Sequence, residues 1–258
     1  MLFISCAEIP LTQRKGLHIL PQSQMLALSL QQYDDVLKKS KICTDPEKVV
    51  MVKRTGERIS AAAESFLEDY GLEEQIKYFK WEFNLIEDDN TVNAWCMPGG
   101  KIAVYTGILP FTKDENGLAV VLGHEVAHAI ANHGNERMSQ ALLVSMGGVA
   151  LSVALQEKPD RTKNLFMAAF GMGASVGFLL PYSRLHEYEA DRIGLSIMSR
   201  AGYDPREAIN FWERMRQKGG GKHPPEFLST HPAPDSRIAD LKVHVAEALP
   251  YYERYRKQ

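Results

Sequence analysis

Apolar residues recur at helical spacing from Leu17 to Tyr70, with one break near Lys41-Ile-Cys-Thr-Asp-Pro46. This predicts two helices, the second capped by Thr44 or Asp45 with Pro46 in its first turn. The period then shortens. Bulky apolar and polar residues alternate over Lys80–Glu87, Asp88-Asp-Asn90 reads as a turn, and Thr91–Cys96 reads as a second strand. Pro98-Gly99-Gly100 supplies a tight turn before a third strand, Lys101–Tyr105, so a small antiparallel sheet is expected here. An apolar run, Gly117–Gly123, follows Thr112-Lys-Asp-Glu115, which has the form of a capping box, and Asn132-His133-Gly134 has the form of a helix stop. Further on, Ala141–Leu155 and Leu165–Leu180 are rich in Ala, Gly, Met and Val, and the charged Gln156–Lys163 joins them. Each is shorter than the ~20 apolar residues that a bilayer span needs. They predict a helical hairpin packed through small residues or buried in a homo-oligomer, with contact to a membrane surface as the alternative.

The chemistry is concentrated in His124-Glu125-Val126-Ala127-His128. Two histidines four apart project from one helical face, so both imidazoles can reach one zinc ion, while Glu125 lies beside the metal. A carboxylate placed there can act as general base on zinc-activated water, which is the chemistry of amide hydrolysis. Two core histidines on an ordinary helix are the plain alternative.

A catalytic zinc usually has a third protein ligand. An extended metzincin pattern would place Gly at position 131 and His at position 134, where Ala131 and Gly134 stand. The better candidate is Glu187 in Arg184-Leu-His-Glu-Tyr-Glu-Ala-Asp191, with Asp191 four residues on to accept the free N–H of a liganding histidine. Glu189 and His186 are read as pointing elsewhere on that helix. A solvated, salt-bridged helix face is the alternative for the whole segment.

Four separated stretches, in this order, carry a likeness to a known family: Asn93–Gly107, His124–His128 with His133–Arg137, Glu187–Asp191, and Ser229–Arg237. The chain resembles the membrane-associated HExxH zinc peptidases. These include the CAAX prenyl endopeptidase, the bacterial heat-shock membrane protease, the mitochondrial Oma-type protease and periplasmic quality-control proteases, the last two being the best fit. The resemblance implies a mainly helical α+β, zincin-like (gluzincin) domain with one Zn2+ held by His124, His128 and Glu187. It makes Glu125 the base and places Asp191 behind a ligand. Substrate would add as a strand at the sheet edge near Asn93 and Ala94. His231 and Arg237 would lie near the metal, helping with substrate or transition-state charge, and His231 could occupy the open zinc position and make the enzyme latent. In the alternative, His231 only caps or packs and Arg237 pairs with an acid.

Composition bounds the remainder. The chain has 258 residues, 45% hydrophobic and 24% charged, enough for one substantial core, expected over 17–258 behind an N-terminal segment 1–16. Its 30 basic and 32 acidic residues are scattered, which excludes a nucleic-acid footprint. Leu2-Phe-Ile-Ser-Cys6 is similar to the end of a bacterial lipoprotein signal, so export to the periplasmic side of the cell envelope with a lipid on Cys6 is expected. Cys43 and Cys96 could then pair. The functional expectation is an endopeptidase for misfolded or unassembled envelope proteins. The alternative is an assembly factor, chaperone-like, whose peptidase activity His231 holds latent.

Overall fold

The computed structural model describes residues 5–146, 184–219, 225–232 and 235–257. The chain opens with an antiparallel pair, β1 (Ser5–Glu8) and β2 (Lys15–His18), where a helix was expected from Leu17. The reversal between them uses positive φ at Leu11 and Gln13 and a bond from the Ile9 N–H to the Arg14 carbonyl. Only after Pro21 does α1 (Gln22–Lys39) begin, because the helical spacing of apolar residues there continues leftward into the alternating face of a strand. The pair crosses the boundary expected at residue 16, and Ile9 is buried in the main core. α2 (Pro46–Asp69) is capped by Asp45, whose carboxylate accepts from the N–H groups of Glu47 and Lys48.

The expected three strands are present as β3 (Glu82–Ile86), β4 (Ala94–Met97) and β5 (Lys101–Tyr105), but the sheet is mixed. β4 and β5 form a hairpin whose turn uses positive φ at Gly99 and Gly100. β3 does not pair with β4. It lies on the other side of β5 and runs parallel to it, with Glu82 opposite Lys101 and Ile86 opposite Tyr105. The connection after β3 is therefore a crossover, tied by Asp88, whose side chain accepts from the N–H groups of Asn90 and Thr91. Residues 41–43 border the outer side of β3 through bonds from the Cys43 N–H to the Leu85 carbonyl and from the Glu87 N–H to the Lys41 carbonyl. Cys43 and Cys96 thus flank the sheet from opposite sides, about 14 Å apart at three strand spacings, and remain free thiols.

A short α3 (Leu109–Thr112) leads into α4 (Glu115–Ile130). The cap of α4 is Asp114, which accepts from the Gly117 N–H, rather than Thr112, whose hydroxyl donates to the Leu109 carbonyl and closes α3. From Gly117 to Ile130 every residue of α4 is buried, so this helix is the centre of the domain. Asn132, with positive φ, follows the end of α4 where a stop is predicted, and α5 (His133–Met146) starts at once, taking in His133 and Gly134. The remaining described helices are α6 (Arg184–Arg200), α7 (Glu207–Gly219), the short α8 (Glu226–Thr230) and α9 (Asp235–Tyr255). Most of the predicted hairpin over 141–155 and 165–180 lies outside the described residues. Among the described residues no helix is long and apolar enough to cross a membrane.

α4 packs most extensively on α6, and the two backbones touch at Gly123 and Gly194. A Cβ on Gly194 would sit 3.0 Å from both the Gly123 carbonyl carbon and the His124 nitrogen. No side chain stands between the helices there, and this spacing sets how far the groups on α6 lie from His124 and His128. Gly194→Val must separate two helix backbones, an overpacking cost of about 1–3 kcal/mol. A lower melting temperature is expected, with weaker retention of the metal that the sequence predicts; an unchanged chelator-competition curve would refute the spacing role.

Candidate metal centre

A fully buried helix that carries His124, Glu125 and His128 must provide partners for them. α4 turns both imidazoles toward α6, which presents Glu187 from its first turn and Asp191 one turn later. The chain then returns past the end of α8, where it delivers His231, and into the first turn of α9, where it delivers Arg237.

His124 Nε2 lies 3.0 Å from His128 Nε2, 3.1 Å from His231 Nδ1 and 3.5 Å from Glu187 Oε2. Glu187 Oε1 is 3.4 Å from His128 Nε2 and 3.0 Å from His231 Nδ1. Donors ~2.1 Å from a tetrahedral zinc stand about 3.4 Å from one another. These separations are close to that size, and His124, His128, Glu187 and His231 converge with the nitrogen and carboxylate chemistry that zinc favours. All four are buried. Glu125 is outside this donor set. One of its oxygens is buried without a hydrogen-bond partner, 3.4 Å from His231 Nε2, and the backbone of Cys96 in β4 bonds the carboxylate.

Electrostatics also fit a cation. Burial alone would raise the Glu187 pKa, but His231, Arg237 and the ligand imidazoles hold it well below the usual carboxylate range. Burial pushes Glu125 up to about 8 and His231 down to about 4. Asp191 Oδ1 lies 3.0 Å from His124 Nδ1, which leaves Nε2 for the metal. Arg237 secures Asp191 with two bonds, Nε to Oδ2 at 2.6 Å and an Nη to Oδ1 at 2.8 Å. Its third nitrogen reaches Glu187 Oε2 at 2.6 Å, and the guanidinium lies 3.6 Å over the Trp212 ring.

A model of peptidase family M48 matches residues 53–245, which contain all of these groups. The chain belongs to peptidase family M48. The M48 match agrees with pairwise likeness to mitochondrial metalloendopeptidase OMA1. The Saccharomyces cerevisiae protein is 38% identical over 181 residues, covering 68% of this chain and 50% of that one. The Schizosaccharomyces pombe protein is 43% identical over 171 residues, covering 66% and 48%. The Beta-barrel assembly-enhancing protease of Yersinia pestis is 30% identical over 175 residues, covering 66% and 36%. The chain thus spans half or less of the length of these relatives. As an M48 domain it is a zinc metallopeptidase, with His124, His128, Glu187 and His231 positioned as its zinc site.

Asn93 and Ala94 are placed where β4 begins, at the sheet edge beside α4, but both are buried. The N–H of Phe227 donates to the Val92 carbonyl at 3.0 Å, and Asn93 bonds Glu226, so α8 covers that end of the edge. Glu189 and His186 lie outside the donor set, as read from the sequence, but not on a solvated face. Both are buried in a polar cluster with His133, Glu136 and Arg14. The sequence signal for this cluster is the three-residue spacing His133–Glu136 matched by His186–Glu189, which puts each pair on one helix face. Trp212 and Phe227, stacked 5.6 Å apart beside His124, had no such signal.

Proposed function

We propose that this chain carries the catalytic domain of an endopeptidase that hydrolyses misfolded or unassembled proteins of the bacterial envelope, on its periplasmic side and anchored through Cys6. The observation that carries the catalytic part is the convergence of three imidazoles and one carboxylate on a single point, with Glu125 beside it. The envelope setting is supported by the bacterial relatives of Yersinia pestis and Escherichia coli, whose names refer to β-barrel assembly.

When bound, zinc supplies Lewis acidity that polarises the scissile carbonyl and makes water acidic enough to lose a proton near neutral pH. Glu125 takes that proton and later returns it to the departing amine. Asp191 fixes the His124 ring, and Arg237 fixes Asp191 while placing positive charge beside Glu187, where charge develops on the substrate. The substrate lies as an added strand along β4 near Asn93 and Ala94 and gives main-chain bonds that tolerate many side chains.

His231 sits where the water and carbonyl must enter, so the described conformation is latent. Entry requires the His231 loop and α8 to withdraw from the metal and from Val92 together. His231→Ala is expected to cleave an unfolded protein several-fold faster than wild type, since the closed form no longer depletes the competent one. The same occlusion favours a second reading, an assembly factor that binds clients with its peptidase suppressed. If neither wild type nor His231→Ala cuts an unfolded protein while client binding persists, this second reading replaces the first.

A further inference from the structure

The buried cluster beside the zinc site is joined to it through one ring. His133 Nδ1 lies 2.9 Å from His128 Nδ1, and His133 Nε2 lies 3.1 Å from Glu189 Oε2. Glu189 also receives the Thr12 hydroxyl at 2.8 Å and Arg14 Nε at 2.9 Å. Arg14 turns its two terminal nitrogens onto both oxygens of Glu136, at 2.9 and 2.8 Å, and so clamps α5 to α6. His186 lies against the same assembly, stacked on His133 at 4.5 Å and 3.2 Å from Glu136 Oε2. Arg14 and Thr12 belong to the turn between β1 and β2, outside the residues matched by the family model.

The proton positions along this chain of contacts follow by elimination. An ionised carboxylate only accepts, so His133 Nε2, facing Glu189, carries the hydrogen. A neutral imidazole holds one such hydrogen, so His133 Nδ1 is an acceptor. His128 Nδ1, which faces it, must then be the donor. The lone pair of His128 is left on Nε2, the atom that faces His124 and Glu187.

We propose that Arg14, Glu189 and His133 form a positioning relay that holds His128 in its metal-binding tautomer and orientation. The relay is the counterpart, on the second zinc histidine, of what Arg237 and Asp191 do for His124. It makes the N-terminal strand pair part of the metal centre, because Arg14 supplies the guanidinium shared by two buried carboxylates on neighbouring helices.

The inference rests on His128 being a zinc ligand, and the test separates the two. In the zinc-loaded full chain with 15N-labelled histidine, the ring spectra are expected to show hydrogen on Nδ1 of His128 and on Nε2 of His133. Chelator competition on Arg14→Gln and Glu189→Gln is expected to show zinc held about 10- to 100-fold more weakly than in wild type. A merely structural role would lower the melting temperature of the metal-free chain without moving the ring hydrogens or the zinc constant. Hydrogen on Nδ1 of His133 overturns the relay even if neither variant folds. So does a zinc constant within about two-fold of wild type in both variants. Wild type that retains no zinc overturns the zinc assignment itself.

Discussion

Glu125→Gln is expected to retain zinc as wild type does and to lose peptide hydrolysis by about 10²- to 10⁴-fold, the range for removing a general acid–base group. Glutamine has the shape of glutamate but cannot take a proton from water, and Glu125 is not among the four converging donors. Its effect should therefore fall on kcat, with metal content unchanged. Stability should move the opposite way. Burial raises the pKa of this acid from 4.5 to about 8, so in the metal-free chain its contribution is fully present below pH 4.5 and is lost as pH rises toward 8. Metal-free Glu125→Gln is thus expected to melt higher than metal-free wild type near pH 8 and to show less of that decline. Hydrolysis by Glu125→Gln within a few-fold of wild type would remove Glu125 from the mechanism.

Glu187→Ala is expected to abolish stable zinc binding, read as trace metal in the purified chain. The loss exceeds that of one ligand, because Glu187 also balances Arg237 and faces His231. Its removal takes one of two ion-pair partners from a buried guanidinium, leaving Asp191. Zinc stabilises a fold by about 4 kcal/mol when present at a thousand times its dissociation constant. Wild type stripped by chelator should therefore also melt lower than wild type with zinc, whereas Glu187→Ala should be insensitive to chelator. A full equivalent of zinc in Glu187→Ala would exclude this side chain from the metal site.

The parts of this protein legible in the chain are those governed by local geometry. Asp45 with Pro46 announced the start of α2, Gly99 with Gly100 announced the β4–β5 turn, and four-residue spacing put His124 with His128 and Glu187 with Asp191 on single helix faces. Errors of local reading came where two patterns competed within a few residues. Thr112 and Asp114 are both capable caps, and only Asp114 faces the Gly117 N–H. Leu17 and His18 suit both periods, and strand pairing with Cys6 and Ser5 decided between them. The sheet was read as antiparallel from adjacent strands, yet β5 places its two neighbours on opposite sides, a choice made by long-range pairing.

By itself the sequence determined the ligand types, their pairing within each helix and the family. Tertiary structure alone decided that the two helices approach at Gly123 and Gly194, that His231 returns among the converging donors, and that Arg14 reaches Glu136 and Glu189 from more than a hundred residues away. The physical reason is range. Backbone geometry dictates which side chains share a face over a few residues, whereas the distance between faces is set by close packing of elements that the chain brings together only when the core forms.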